Sequence, residues 1–176
     1  VTSTIAFGDS TPLLDDPQAL RARADDDGFL FFKSLLPKEP LLTLRQQILE
    51  ICDKYHWIRK DTALTEAVAD LEAIAESDAK DKTLYAIGVT ATAYRDIQSL
   101  ELFHTIPHHP NLVGLYEKIF GSEVFPHPRH IARVLLPSPN FAPTPPHQDY
   151  IYIQGAHSFW TCWFPLGDCP TDLGGL

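Results

Sequence analysis

Eight histidines occur in the chain, and His147 alone is followed two positions later by a carboxylate, Asp149. In a strand, residues i and i+2 point to the same face, so an imidazole and a carboxylate at this spacing can meet one metal ion. Neutral imidazole with carboxylate suits iron(II). In the facial triad of two histidines and one carboxylate, three positions on the metal stay open for cosubstrate and oxygen. The spacing alone is a weak signal. Asp and Glu account for 23 of 176 residues, so eight histidines yield about one such pair by chance. Five other histidines, His104, His108, His109, His127 and His130, crowd one stretch. Their spacing matches no standard metal site, and loop or capping roles are expected. His157, eight residues past Asp149 on an expected turn, is read as solvent-facing.

The elements that must position the pair change character along the chain. Residues 1–121 read as a mainly helical layer. Asp15-Asp16-Pro17 opens a helix with a carboxylate cap and a first-turn proline, and Gly28 closes it. Phe29-Leu30-Phe31-Phe32 reads as a short buried strand. Pro37 opens a second helix, on which Leu41, Leu44, Ile48, Leu49 and Cys52 keep helical spacing. Further helices are expected over 62–79, 94–104 and 110–120, the last closed by Gly121. From residue 122 the pattern becomes β-rich. A strand-like set runs over 123–136, with Pro126 and Pro128 at its start. Five prolines between Pro137 and Pro146 make a stiff loop. Residues 147–153 and 158–165 read as two strands around a turn at Gly155.

In this setting the metal pair gains context. His147-Gln148-Asp149-Tyr150 precedes Trp160-Thr161-Cys162-Trp163-Phe164-Pro165-Leu166-Gly167-Asp168 and then Thr171-Asp172-Leu173-Gly174-Gly175-Leu176. Upstream stand Asp26-Asp27-Gly28-Phe29-Leu30, Leu35-Leu36-Pro37 and Leu44, then Ile131-Ala132-Arg133-Val134-Leu135-Leu136-Pro137. The ordered set resembles the phytanoyl-CoA dioxygenase family from about residue 25 to 176. The resemblance implies an α+β fold: a double-stranded β-helix (jelly-roll, cupin-like) core behind the N-terminal helical layer, in one dioxygenase domain over 1–176. Residues 122–176 would supply the first strands of that core, and its C-terminal part would lie outside this chain.

The resemblance also implies iron(II), 2-oxoglutarate and O2, with a small-molecule substrate oxidised through an iron-oxo intermediate. His147 and Asp149 would be iron ligands and catalytic residues. The distal histidine and the arginine that anchors 2-oxoglutarate would come from sequence beyond Leu176. Trp163 matches a family tryptophan beside the cosubstrate, with core packing as the other reading. Thr144 stands where some relatives place a glutamine that contacts the cosubstrate. Arg133 either faces the pocket from its strand or lies on the surface. Tyr150 would line the substrate side and Tyr152 would pack in the core. Because Asp149 fills the position that related halogenases leave for chloride, hydroxylation, desaturation or ring formation is expected rather than halogenation.

Composition bounds the alternatives. The net charge is −9 and the pI about 5.2, which speaks against a nucleic-acid or anionic-membrane partner. No apolar run approaches the ~18–20 residues of a membrane span, and the first residues, mixed and polar, do not read as a secretory h-region. Three cysteines without CxxC spacing point to reduced thiols and a cytoplasmic setting. The lack of any methionine and the Gly-Gly-Leu ending suggest part of a longer polypeptide. Two rival readings remain: a truncated or degenerate relative acting as a binding module, and a cupin-like metalloenzyme that does not use 2-oxoglutarate. The substrate itself is not legible, with a weak lean towards a small metabolite or natural product.

Overall fold

A computed structural model describes residues 7–80, 88–137, 145–156 and 158–170, with the side chains of 78–80 left aside. Seven α-helices are described: α1 (Pro17–Asp27), α2 (Lys38–Lys54), α3 (Leu71–Lys80), α4 (Ala91–Gln98), α5 (Glu101–Thr105), α6 (Pro110–Phe120) and the single turn α7 (Tyr150–Ile153). The chain forms two compact units. One is Val1–Pro40 with Thr105–His127, and the other is Leu41–His104 with Pro128–Leu176.

In the first unit the helix ends are chemically defined. Asp16 Oδ1 accepts the Gln18 and Ala19 backbone N–H groups, Pro17 fills the first turn, and Gly28 leaves the helix at φ 74°. This satisfies N–H groups that the helix cannot bond internally. In α6 the capping group is His109 Nδ1, which accepts the Asn111 N–H at 3.1 Å, and Gly121 ends the helix at φ 68°. Leu112, Leu115 and Ile119 are buried on one face of α6, and Leu20 and Ala24 on α1, which packs against it. Each leucine buried there contributes about 1.5–3 kcal/mol. Arg21 donates to the Lys118 carbonyl and Lys118 to the Leu14 carbonyl, both at 2.6 Å.

In the second unit, Leu44, Ile48 and Cys52 form the buried stripe of α2. Trp57 lies just past that helix, 1 % exposed, with Tyr55 stacked on it at 5.2 Å. Its indole N–H donates to Ser77 Oγ at 2.9 Å, which meets the need of a buried donor. Burial pushes the Cys52 thiol up to about 11. At the surface, Lys54 Nζ and the Tyr55 hydroxyl both donate to Asp96 Oδ2 at 2.8 Å. The hydrogen bond from Lys54, then that from Tyr55, holds the Asp96 carboxyl below its ordinary value. Gly88 sits at φ 83° with its Cα against the Val134 carbonyl.

Two expected helices are redrawn by local competition. The segment 62–79 is not one helix. Ile58 bridges Ala69 antiparallel, a 3-10 turn covers Leu64–Glu66, and α3 starts only at Leu71. Asp70 sets that start: its side chain accepts the Ala73 N–H while its own N–H reaches the Trp57 carbonyl at 2.8 Å. The helix expected over 94–104 is split at Ser99. Thr90 caps α4 earlier than expected, and the Ser99 hydroxyl donates to the Asp96 carbonyl at 2.6 Å.

The jelly-roll strands are where expectation and structure part. Among the described residues there are two isolated bridges, Asp9–Phe31 parallel and Ile58–Ala69 antiparallel, and no ladder. Residues 123–137 and 158–165 run without regular pairing, and 147–153, expected as a strand, contains the helical turn α7. A strand exists only with a neighbour to take its N–H and C=O groups. Without one, a β-favouring sequence stays irregular or closes its own bonds in a turn.

Candidate metal centre

His147 follows Pro145 and Pro146, and Asp149 begins α7. The Asp149 carbonyl accepts the Tyr152 and Ile153 N–H groups, each at 2.9 Å. Gln154 then leaves the turn at φ 59°, ψ −169°, a conformation that costs a residue bearing a side chain about 1–3 kcal/mol. Gly155 follows at φ 101° and turns the chain back. From the segment 128–137, Arg129 Nη1 donates to the Tyr152 carbonyl at 3.0 Å, at the end of α7.

Within this frame the His147 and Asp149 side chains converge. His147 Nε2 lies 3.2 Å from Asp149 Oδ1. On the other side of the ring, Nδ1 lies 2.8 Å from the Pro145 carbonyl. A carbonyl only accepts, so Nδ1 carries the proton and donates. In the neutral ring, Nε2 therefore turns a lone pair towards a carboxylate oxygen. Two acceptors at this separation are stable only with a proton or a cation between them. A carbonyl behind a metal-binding imidazole is the usual orienting partner. An imidazole nitrogen and a carboxylate oxygen 3.2 Å apart are donor types that one divalent cation would take together. The donor types and their separation thus fit a divalent metal. Among the described residues, no third His, Cys, Asp or Glu joins the pair.

The second carboxylate oxygen is also engaged. Thr161 Oγ1 donates to Asp149 Oδ2 at 2.6 Å. Neither Thr161 nor the Pro145 carbonyl stood among the residues expected to matter. Thr161 had a usable signal: a turn centred on Gly155 sets residues 149 and 161 opposite each other.

The other expected site residues are placed as follows. Tyr150 is half-buried, with its ring 6.2 Å from that of Phe159. The ring against His147 is Tyr152, edge-on at 5.7 Å, and it is exposed rather than in the core. Arg133 is exposed on the extended segment, and Trp163 is 45 % exposed two residues after Thr161. Thr144 and His157 lie outside the described residues. Within the histidine-rich stretch, His109 caps α6, and His104 donates through Nε2 to the Gln98 carbonyl at 2.7 Å with its ring 5.5 Å from that of His130. No helix among the described residues is long and apolar enough to cross a membrane.

The chain belongs to the phytanoyl-CoA dioxygenase family, whose model matches residues 24–176. That family has a generally cupin-like fold. Among similar proteins is 1-deoxypentalenic acid 11-beta-hydroxylase of Streptomyces arenae, 28 % identical over 175 residues, covering 97 % of this chain and 56 % of the relative. The enzyme of the same name from Streptomyces exfoliatus is 29 % identical over 184 residues, covering 100 % of this chain and 58 % of the relative. The chain thus spans little more than half the length of these curated relatives. No solved structure matches it.

Proposed function

We propose that the protein is an iron(II)- and 2-oxoglutarate-dependent oxygenase that hydroxylates a small molecule, with His147 and Asp149 as two of its iron ligands. The observation that carries this reading is the pair itself: an imidazole held at Nδ1 by the Pro145 carbonyl, 2.8 Å away, with its Nε2 3.2 Å from a carboxylate oxygen. Family membership and relatives named as hydroxylases support it. Under this reading the extended segments 123–137 and 158–170 contribute strands to a cupin-like core.

The roles of the chain's own residues follow from their chemistry. His147 binds through Nε2 and Asp149 through Oδ1. When bound, iron with 2-oxoglutarate and O2 supplies the oxidising chemistry. The Tyr152 ring stands edge-on to the imidazole at 5.7 Å. Trp163, Arg133 and Thr144 are proposed to border the cosubstrate, and Tyr150 the substrate.

The test is succinate release from 2-oxoglutarate under air. The full-length protein is supplied with iron(II) and offered 1-deoxypentalenic acid first, then other small carboxylic acids and acyl-CoA thioesters. Substrate-stimulated, iron-dependent succinate is expected, with at least a ~100-fold loss in His147→Ala and Asp149→Asn. Turnover that persists in His147→Ala, or that ignores iron, would overturn the reading.

A further inference from the structure

Thr161 is a side chain from outside the metal motif that bonds directly to one of its expected ligands. Its hydroxyl donates to Asp149 Oδ2 at 2.6 Å, while Oδ1 faces His147 Nε2 at 3.2 Å. The two oxygens of one carboxylate are thereby given different tasks. A hydroxyl donating to a carboxylate at this distance is a charge-assisted bond, stronger than a neutral one.

We infer that Thr161 is a positioning residue that holds Asp149 as a one-oxygen metal ligand, with Oδ2 tied to the protein and Oδ1 aimed at the metal. The inference rests on the reading of His147 and Asp149 as ligands. A free carboxylate can rotate and take a metal through both oxygens, closing an additional coordination position. A carboxylate whose Oδ2 accepts this hydrogen bond turns less freely and offers that oxygen to a metal less readily. Thr161 therefore governs both how tightly the metal is held and how many positions stay open beside it. It touches neither metal nor substrate. Outer partners of this kind typically change metal affinity by ~10–100-fold, and one exposed hydroxyl belongs at the lower end.

Cobalt(II) is the probe, titrated into the protein under anaerobic conditions and read by its visible absorption. Thr161→Val keeps the size of the side chain and removes the donor. It is expected to weaken cobalt binding about tenfold and to change the band intensities, which report coordination number, with an unaltered far-UV circular dichroism spectrum. Thr161→Ser restores the donor and is expected to return both affinity and spectrum to those of the parent. Thr161→Ala, which also lacks the donor, should behave as Thr161→Val and replaces it if the valine is not tolerated. His147→Ala keeps the two hypotheses apart. If it binds cobalt as the parent does, the metal-site reading fails, and this inference with it. If it loses cobalt while Thr161→Val and Thr161→Ala keep the parent's affinity and bands, the inference alone fails. It fails equally if Thr161→Ser does not restore them.

Discussion

Replacing Gly88 with alanine should be among the most damaging single-methyl additions in the second unit. A Cβ there would lie 1.9 Å from the Val134 carbonyl oxygen and 2.8 Å from its carbon. Real Cβ contacts do not fall below 3.0 Å, so the two backbones must part by more than an ångström. Both obstructing atoms belong to the main chain, and no rotamer change can relieve them. The residue also holds φ 83°, which disfavours alanine by about 1 kcal/mol or more. Forcing packed groups apart adds about 1–3 kcal/mol, for a total near 3 kcal/mol. For a chain of this length that lowers the melting temperature by about 6–12 °C, at ~2–4 °C per kcal/mol. Thermal unfolding followed at 222 nm measures it. Gly114→Ala is the internal control. Nothing lies within 4 Å of its would-be Cβ, and it sits inside α6, so alanine there should stabilise by about 0.5–1 kcal/mol. A Gly88→Ala protein melting within about 2 °C of the parent would refute the close approach of residues 88 and 134.

Two further outcomes are expected. The Asp96 carboxyl is held below its ordinary 3.8 by hydrogen bonds from Lys54 and Tyr55, so its contribution is present above that value and fades as pH falls through the lower, folded one. The Asp96 partner raises Lys54, and burial followed by the same partner raises Tyr55; their share is present below ordinary values and is lost as pH rises through the folded ones. Melting temperature plotted from pH 2 to 6 should therefore fall less steeply in Asp96→Asn than in the parent, and parallel curves would dismiss the linkage. For the cysteines, a disulfide reagent at pH 8 should label exposed Cys162 and Cys169 quickly. Cys52, raised to about 11 and so only about one part in a thousand thiolate at that pH, should wait for denaturant; three equal rates would contradict its burial.

What could be read in advance was local. The caps of α1 and α6 are written in Asp16-Pro17 with Gly28, and in His109-Pro110 with Gly121, because each is decided by a few adjacent residues. Position 70 was harder. Asp70 reads as one more acid on a helical face until the Ile58–Ala69 bridge, a contact distant in sequence, frees it to cap. The β-rich segments run without a ladder among the described residues for a related reason, since alternation and branching state a preference for pairing but cannot provide the partner. At the candidate metal centre the residue types were legible, and the geometry was reached by another route. His147 and Asp149 were expected to meet on one face of a strand; they meet on the turn entering α7.

The brevity of α7 has a kinetic consequence. Four residues cannot hold a helix in water unaided, and its exit carries a strained Gln154. Its order is supplied from outside, by Arg129 at one end and by Thr161 through Asp149 at the other. Such a segment belongs to the part of a protein that opens first, well below the free energy of global unfolding. When it opens, His147 and Asp149 separate while the buried helices stay intact. Amide hydrogens of residues 150–154 should exchange with solvent long before those of α2 or α6. Under the proposed reading of the pair as metal ligands, the rate at which a metal enters or leaves would be set by the flickering of one helical turn.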